Sequence, residues 1–225
     1  MIQDITNRYI AAILSQCDIS GKDVLEIGCG KGRITGDLAR HARRVVAIDP
    51  DAAALAEAQA AIAADNVTFA QVPTGVPDLP AKSFDVAIFT LSLHHVPETE
   101  MADSLRTAAG LLRRGGVIVV VEPGDGGSFT EAKERFNAGS GDERAAKESA
   151  IRAMHTLQGW TTGETIHFRT LFRFDDDEDF LASMLPGKDL PEAGILEIRR
   201  FLQRHRTPNG IILEADRRLN VLQAC

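Results

Sequence analysis

The chain has 225 residues, enough for one domain with a full hydrophobic core. Its net charge of −7 argues against a broad nucleic-acid-binding surface, because affinity for phosphate depends on clustered Lys and Arg. No apolar stretch approaches the ~20 residues that cross a bilayer, and the N-terminus lacks the basic and then apolar pattern of a signal peptide. The three cysteines lack metal-ligand spacing, so we expect reduced thiols in a cytoplasmic protein.

Up to residue 123 the chain alternates between strand and helix patterns. Apolar residues recur at helical spacing over residues 5–16, which predicts a first helix. The elements predicted after it are a strand at 23–28, a helix at 32–42, a strand at 45–48, a helix at 51–63, a strand at 66–69, a loop at 71–82, a strand at 84–90, a helix at 99–113 and a strand at 117–121. This alternation predicts an α/β fold, with a parallel sheet and helices on both of its faces.

The pattern changes after residue 123. Residues 124–160 are polar, contain glycine and favour helix. The remaining predictions are a strand at 165–174, a helix opened by the acidic run 175–179, a helix at 191–205, a turn at 207–210 and a strand at 211–223. We expect a single domain over residues 1–225, with residues 124–164 inserted into it as a helical lid over the substrate site.

The most informative segment is 24–32, where an apolar strand pattern that contains Glu26 meets three alternate glycines. These glycines are Gly28, Gly30 and Gly32. Glycine has no Cβ and tolerates positive φ, so a ligand can lie directly on the backbone, and the helix that follows offers N–H groups at its start. Strand, turn and helix in this order predict a nucleotide-cofactor site. A dinucleotide site would have the spacing G-x-G-x-x-G, whereas Arg33 occupies the third glycine position here.

An acid ends the second predicted strand, in the sequence Asp49-Pro50. At the carboxyl edge of a parallel sheet, beside a glycine turn, such an acid can accept hydrogen bonds from both ribose hydroxyls of an adenosine. The structural alternative is an N-cap for the following alanine-rich helix, to which Asp49 and Asp51 are equally suited. Because an acid at this place also serves NAD enzymes, it indicates an adenosine cofactor without selecting one.

Two later segments carry a resemblance to a known family. Residues 83–96 (SFDVAIFTLSLHHV) and 111–123 (LLRRGGVIVVVEP) resemble the fourth- and fifth-strand motifs of small-molecule methyltransferases. Together with Asp49 and the E-x-G-x-G-x-G turn, they follow the order found in Rossmann-like (class I) S-adenosylmethionine (SAM)-dependent methyltransferases. The resemblance implies a doubly wound, mostly parallel seven-stranded sheet in the order 3-2-1-4-5-7-6, with strand seven antiparallel.

The resemblance also implies which positions contact SAM and its product S-adenosylhomocysteine. Glu26 would face the methionine ammonium, directly or through water, and Asp49 would hold the ribose. The further positions assigned to the cofactor site are Gly28, Cys29, Gly30, Gly32, Pro50, Thr90 and Leu91. The alternative for Glu26 is an acid that supports the turn and contacts no ligand.

The chain departs from the family pattern where the adenine would lie. Family members usually carry an acid after the third strand that reaches the adenine amino group. Residues 72–75 read Val-Pro-Thr-Gly and contain no carboxylate. We therefore expect Thr74 and the backbone near Gly75 to take over this contact.

The adjacent residues His94 and His95 are the candidates for a catalytic base. Imidazole titrates near neutral pH and can take a proton from oxygen or nitrogen. Neighbouring side chains point to different sides, so at most one of the pair faces the cleft, and His95 is the stronger candidate. The structural alternative is that one ring packs under the sheet edge. Methyl transfer can also proceed by alignment alone, without a base.

The sequence thus predicts a SAM-dependent methyltransferase that acts on a small or medium organic acceptor, mainly by proximity and alignment. The motifs of base-amino methylases and the metal-binding carboxylate of catechol-type enzymes are missing at residues 90–93, which read Thr-Leu-Ser-Leu. The alternatives are a SAM-binding protein without transfer activity, a partner-dependent subunit, or an NAD(P) oxidoreductase. We expect a monomer or homodimer that binds no nucleic acid and has no membrane span.

Overall fold

A computed structural model describes residues 1–72, 75–76 and 79–225. Its elements in chain order are β1 (Ile2–Gln3), α1 (Arg8–Gln16), β2 (Asp23–Ile27), α2 (Thr35–Ala39), β3 (Arg44–Asp49), α3 (Ala52–Ala61), β4 (Val67–Gln71), β5 (Phe84–Thr90), a 3₁₀ turn (Leu93–His95), α4 (Glu98–Leu111), β6 (Leu112–Pro123), α5 (Ser128–Phe136), α6 (Arg144–Met154), β7 (Trp160–Thr162), β8 (Ile166–Phe174), α7 (Asp177–Met184), α8 (Glu192–Gln203), β9 (Arg206–Thr207) and β10 (Gly210–Ala224). The predicted α/β class is confirmed. Among these residues no helix combines the length and the apolar character that a membrane span requires.

The described residues form ten strands, whereas the resemblance implied seven. Three of the ten, β1, β7 and β9, contain only two or three residues each. Segments this short have no detectable period of hydrophobicity, so the sequence pattern could not indicate them.

The chain divides into two compact units, each assembled from three segments. The smaller unit comprises Met1–Tyr9, Pro123–Glu143 and His167–Arg217, and the larger unit comprises Ile10–Glu122, Arg144–Ile166 and Arg218–Cys225. The predicted lid segment, 124–164, is shared between them: α5 belongs to the smaller unit and α6 to the larger one.

The larger unit is built on five parallel strands in the spatial order β6-β5-β2-β3-β4. The central strand β2 is buried at all five of its positions, as expected for a parallel strand covered on both faces. At its end, Ile27 lies between Ile48 of β3 and Phe89 of β5. The carboxyl ends of three neighbouring strands therefore meet at one edge of the sheet.

One hydrophobic core covers a face of these strands. Alternate residues of β5 and β6, among them Phe89 and Val120, pack with Leu105 of α4 and Met154 of α6, and all four are almost fully buried. Helix α6 lies against both α4 and the 3₁₀ turn. This packing fixes the chain segment that follows β5 at the carboxyl edge of the sheet.

Two predicted boundaries at the family motifs were wrong. The helix predicted at 32–42 spans only Thr35–Ala39, and it starts later than predicted because Gly32, with φ of +78°, forms part of the turn. The helix predicted to end at residue 113 ends at Leu111, because β6 already begins at Leu112. Strand β6 continues through the two glycines with a shift of register against β5. Gly115, with φ of +80°, permits that irregularity.

The smaller unit has its own core of aromatic and aliphatic side chains. Among its strands, β1 pairs antiparallel with β8, and β9 pairs antiparallel with β10. Phe129 of α5 stacks on Phe172 of β8, with ring centroids 3.8 Å apart, and Phe180 of α7 meets Phe174 edge-on. Ring packing thus adds to the aliphatic contacts in the core of the smaller unit.

The amino ends of β2 and β5 are joined by a charged cluster. The buried Asp23 accepts hydrogen bonds from Arg43 (2.6 Å) and Arg113 (2.9 Å), and Arg113 also pairs with Asp85 at 2.9 Å. Burial alone would raise the pKa of Asp23, but the hydrogen bonds from the two arginines outweigh it, and the pKa lies below its usual range.

We predict that Asp23→Asn lowers the free energy of unfolding at pH 7 by about 1–3 kcal/mol, because the amide cannot balance the two guanidinium charges. A lowered carboxyl pKa stabilises the fold above the ordinary aspartate pKa, and this contribution is lost as the pH falls through the folded-state value. Urea unfolding should therefore show a smaller difference between wild type and variant at pH 3 than at pH 7.

The matched control is Asp103→Asn, which removes an ion pair with Arg106 between two side chains that are about two-thirds exposed. That variant should lose less than about 0.5 kcal/mol, because exposed ion pairs are screened by water. Equal losses in the two variants would contradict the role given to Asp23.

Candidate active site

The glycine turn after β2 is held by the backbone of its neighbours. The carbonyl of Ile48 accepts hydrogen bonds from the N–H groups of Gly28 (2.8 Å) and Cys29 (3.0 Å). On the other side, the hydroxyl of Ser92 donates to the carbonyl of Ile27 at 2.5 Å. The turn is thus fixed between the ends of β3 and β5.

The three glycines of the turn meet different requirements. All three have positive φ, between +52° and +78°. A Cβ on Gly28 would lie 2.3 Å from the Cβ of Ser92, and one on Gly32 would lie 2.5 Å from Cδ1 of Ile62, so both positions are closed by packing. A Cβ on Gly30 would meet no atom within 4 Å, so this glycine borders open space. Of the three, Gly30 is the glycine whose backbone is open on the side where a side chain would be.

Asp49 and Asp51 have different roles in the structure, one at the glycine turn and the other at the start of α3. Asp51 is the N-cap of α3 and accepts hydrogen bonds from the N–H groups of Ala53 and Ala54. Asp49 instead accepts from the N–H of Gly30 at 2.7 Å and from that of Asp51 at 2.9 Å. The helix cap is thus provided without Asp49, whose carboxylate stands beside the glycine turn.

A cavity of about 410 Å³ opens at this edge of the sheet. Its size is within the range of small-molecule sites. The predicted site residues that line it are Gly28, Gly30, Asp49, Pro50, Gly75, Leu91 and His95, and the lining residues that the sequence did not indicate are Ile27, Ile48, Val72, Ser92, Val96 and Pro97. The additional residues are mostly apolar strand ends and the segment just after β5, which the rule that ligands bind at carboxyl ends could have included.

Glu26 is buried behind the turn and does not line this cavity. Its Oε2 accepts a hydrogen bond of 2.6 Å from the hydroxyl of Thr35. Burial, opposed by that hydrogen bond and reinforced by the carboxylates of Asp49 and Asp37, raises the pKa of Glu26 to about 7. Its contact with a ligand stays a prediction.

The other predicted cofactor positions are not all at the cavity wall. Cys29, Gly32 and Thr90 do not line it, and Thr74 lies outside the described residues. Burial raises the pKa of the Cys29 thiol, which keeps it protonated and makes it a poor nucleophile. Leu91 has φ of +56°, an uncommon conformation for a residue with a side chain, and its N–H donates to the carbonyl of Val121 at 2.8 Å.

The two histidines of the 3₁₀ turn have different surroundings. His95 is exposed and lines the cavity. His94 is buried, and its Nδ1 lies 2.5 Å from Oε2 of Glu122 at the end of β6. Sequence analysis did not single out Glu122, although it lies within the fifth-strand motif.

We predict that Glu26→Gln stabilises the ligand-free protein increasingly as the pH rises. A carboxyl pKa raised to about 7 means that the folded state holds a proton that the unfolded state loses near pH 4.5, so wild-type stability falls between these values. Glutamine keeps an acceptor for Thr35 without a charge. The gain in unfolding free energy should grow from pH 5 to pH 8, towards a ceiling of roughly 3 kcal/mol.

Denaturant unfolding at several pH values measures this gain. The control is Glu57→Gln, at an exposed surface glutamate that pairs with Lys31. If the gain of Glu26→Gln over wild type does not change with pH, the buried carboxyl of Glu26 is not the group responsible.

Comparisons with known proteins agree with this geometry. Residues 24–116 match the family model described as a methyltransferase domain. An uncharacterized methyltransferase from Mycobacterium tuberculosis is 32% identical over 113 residues, which are 50% of this chain and 56% of that protein. The chain thus spans about half the length of the curated relative that it matches.

Two solved structures are also similar. A Bacillus halodurans protein superposes with a TM-score of 0.65 over 96% of this chain and 97% of its own, at 17% identity, which shows a common fold. Phosphoethanolamine N-methyltransferase 1 of Haemonchus contortus, solved with phosphoethanolamine and S-adenosylhomocysteine, is 28% identical over 56% of this chain and 27% of its own, with a TM-score of 0.51. Residues 24–116 therefore match a methyltransferase domain, and the whole chain has the fold of the Bacillus halodurans protein.

Proposed function

We propose that this chain transfers the methyl group of SAM to a small or medium organic acceptor. The observation that carries the proposal is the open cradle at Gly30, beside the carboxylate of Asp49, in the wall of the 410 Å³ cavity. Backbone without a side chain, next to a buried acid, suits a cofactor that places a ribose and a polar amino-acid end against the sheet edge.

In this proposal each part of the cavity has a separate task. The backbone of Gly28 and Gly30 lies beneath the methionine part, and the remaining lone pairs of Asp49 accept hydrogen bonds from the ribose. Val72, Val96 and Pro97, with the backbone of Gly75, offer an apolar slot for the adenine; Thr74 keeps its predicted role there. When bound, SAM supplies an electrophilic methyl group on a sulfonium sulfur.

The transfer itself requires that an acceptor oxygen or nitrogen be held in line with that methyl group. The acceptor atom forms the new bond to carbon, the bond from carbon to sulfur breaks, and S-adenosylhomocysteine is left. His95 lines the cavity and is the residue that we propose accepts the proton from the acceptor. Alignment supplies most of the rate in this scheme, as in intramolecular reactions.

A small acceptor agrees with the comparisons and with the charge. The Haemonchus contortus relative was solved with phosphoethanolamine, a small molecule. The net charge of −7 disfavours a nucleic-acid acceptor. The proposal keeps residues 124–164 as a substrate lid and one domain over residues 1–225. It also keeps the order 3-2-1-4-5-7-6, now for the seven strands that remain when the short strands β1, β7 and β9 are set aside, together with a cytoplasmic location and a monomer or homodimer. The order β6-β5-β2-β3-β4 supports the strand order in the larger unit.

We predict that Gly30→Ala weakens binding of S-adenosylhomocysteine by about tenfold or more, because its Cβ would project into the cradle. Gly21→Ala is a matched control, since Gly21 also has positive φ (+68°) and no atom within 4 Å of a built Cβ, but does not line the cavity. Both variants should lose about 1 kcal/mol of stability through backbone strain. If calorimetric titration gives the two variants equal affinities for S-adenosylhomocysteine, the role proposed for Gly30 is contradicted.

The function is tested by titration calorimetry with SAM and S-adenosylhomocysteine, followed by a screen of small acceptors with radiolabelled methyl groups. Wild type should bind both ligands with micromolar affinity, and Asp49→Ala should bind neither. The control Asp51→Asn keeps an N-cap residue and should bind like wild type. Binding without any methyl transfer would favour a non-catalytic SAM-binding protein, and absence of binding to the folded wild type would overturn the proposal.

A further inference from the structure

The pair formed by Glu122 and His94 is buried deep at the carboxyl edge of the larger unit. The side chain of Glu122 is 0% exposed and that of His94 is 2% exposed, and Oε2 and Nδ1 are 2.5 Å apart. Glu122 is the residue before Pro123, where β6 ends, and His94 is the middle residue of the 3₁₀ turn. The contact thus connects the end of a sheet strand to the segment that follows β5.

Stability alone does not account for a pair of this kind. Removing a carboxylate and an imidazole from water carries a desolvation penalty that two apolar side chains of similar size would avoid. The second carboxylate oxygen, Oε1 of Glu122, is buried and has no hydrogen-bond partner among the described residues, which adds to that penalty. A buried polar atom without a partner calls for an explanation, and a role at a functional site is one such explanation.

The neighbours of His94 show what the pair controls. Its ring lies 4.1 Å, between centroids, from the ring of His95 and is tilted by 44° to it. His95, Val96 and Pro97, which follow His94 directly, all line the cavity, as does Ser92, which is bound to the carbonyl of Ile27. When His94 is held in place, the ring against which His95 packs is held as well. The backbone of the residues that follow, which line the cavity, is then also constrained.

We infer that Glu122 is a positioning residue of the transfer site. Its carboxylate accepts the hydrogen bond from Nδ1 of His94, which selects the tautomer and orientation of that ring. The His94 ring in turn holds His95 in the orientation needed at the cavity, and His94 itself touches no substrate. This inference rests on the proposed function. It gives His94 a role in positioning and leaves His95 as the proton acceptor.

The decisive variant replaces the pair by apolar residues of similar size, His94→Phe together with Glu122→Leu. It should unfold at a temperature equal to or above that of wild type, because the desolvation penalty is removed. Its affinity for S-adenosylhomocysteine should stay within about threefold. Its kcat should fall by about tenfold or more at nearly unchanged KM, since the proton acceptor is no longer held in place.

Glu122→Gln is the conservative variant and keeps an oxygen acceptor for His94, so it should recover part of the lost kcat. If the double variant does not fold, Glu122→Gln by itself tests the inference. Glu100→Gln, at an exposed position of α4, is the control and should leave kcat unchanged. An unchanged kcat in the folded double variant would overturn the inference, because the pair would then be structural only.

Nuclear magnetic resonance of ¹⁵N-labelled histidine rings gives a measurement that does not depend on turnover. In wild type the His94 signals should report a proton fixed on Nδ1, and Glu122→Gln should shift the signals of both His94 and His95. Unchanged His95 signals would overturn the inference. If wild type shows no methyl transfer, the proposed function fails, while these spectra still decide whether Glu122 positions the rings.

Discussion

The candidate site depends on one carbonyl at the end of a central strand. The oxygen of Ile48 accepts two consecutive N–H groups, from Gly28 and Cys29, and so bends the chain sharply as it leaves β2. The carboxylate of Asp49 then holds the N–H of Gly30. The three alternate glycines of this turn have positive φ, and at Gly28 and Gly30 backbone without a side chain lines the cavity.

The buried carboxyl groups near the two ends of β2 have pKa values shifted in opposite directions. At the amino end, Asp23 is surrounded by arginine side chains that lower its pKa, so its charge stabilises the fold. At the carboxyl end, Glu26 accepts a hydrogen bond from the hydroxyl of Thr35, and burial raises its pKa to about 7 despite this bond. The raised pKa therefore belongs to the carboxyl group at the edge that carries the cavity, and perturbed pKa values are common near binding sites.

The segment after β5 contains both tightly packed residues and the histidine that lines the cavity. Ser92 closes against Gly28 so tightly that no side chain could replace that glycine, and Leu91 accepts a strained φ in the same turn. Two residues later His94 is held by Glu122, and only then does the chain present His95 to the cavity. Ser92 and His94, each held by a contact to another strand end, thus precede the exposed His95.

The sequence by itself determined the α/β class, the approximate position of most helices and strands in the larger unit, and the glycine turn with Asp49 beside it, because local periodicity and glycine spacing record these features directly. It could not decide between Asp49 and Asp51 as the helix cap, since both residues suit that role equally. It favoured His95 over His94 as the histidine that faces the cavity, but it did not indicate that Glu122 is the partner of the buried His94. These features depend on which strand ends meet at the sheet edge, and residues far apart in the chain become neighbours only when the tertiary structure forms.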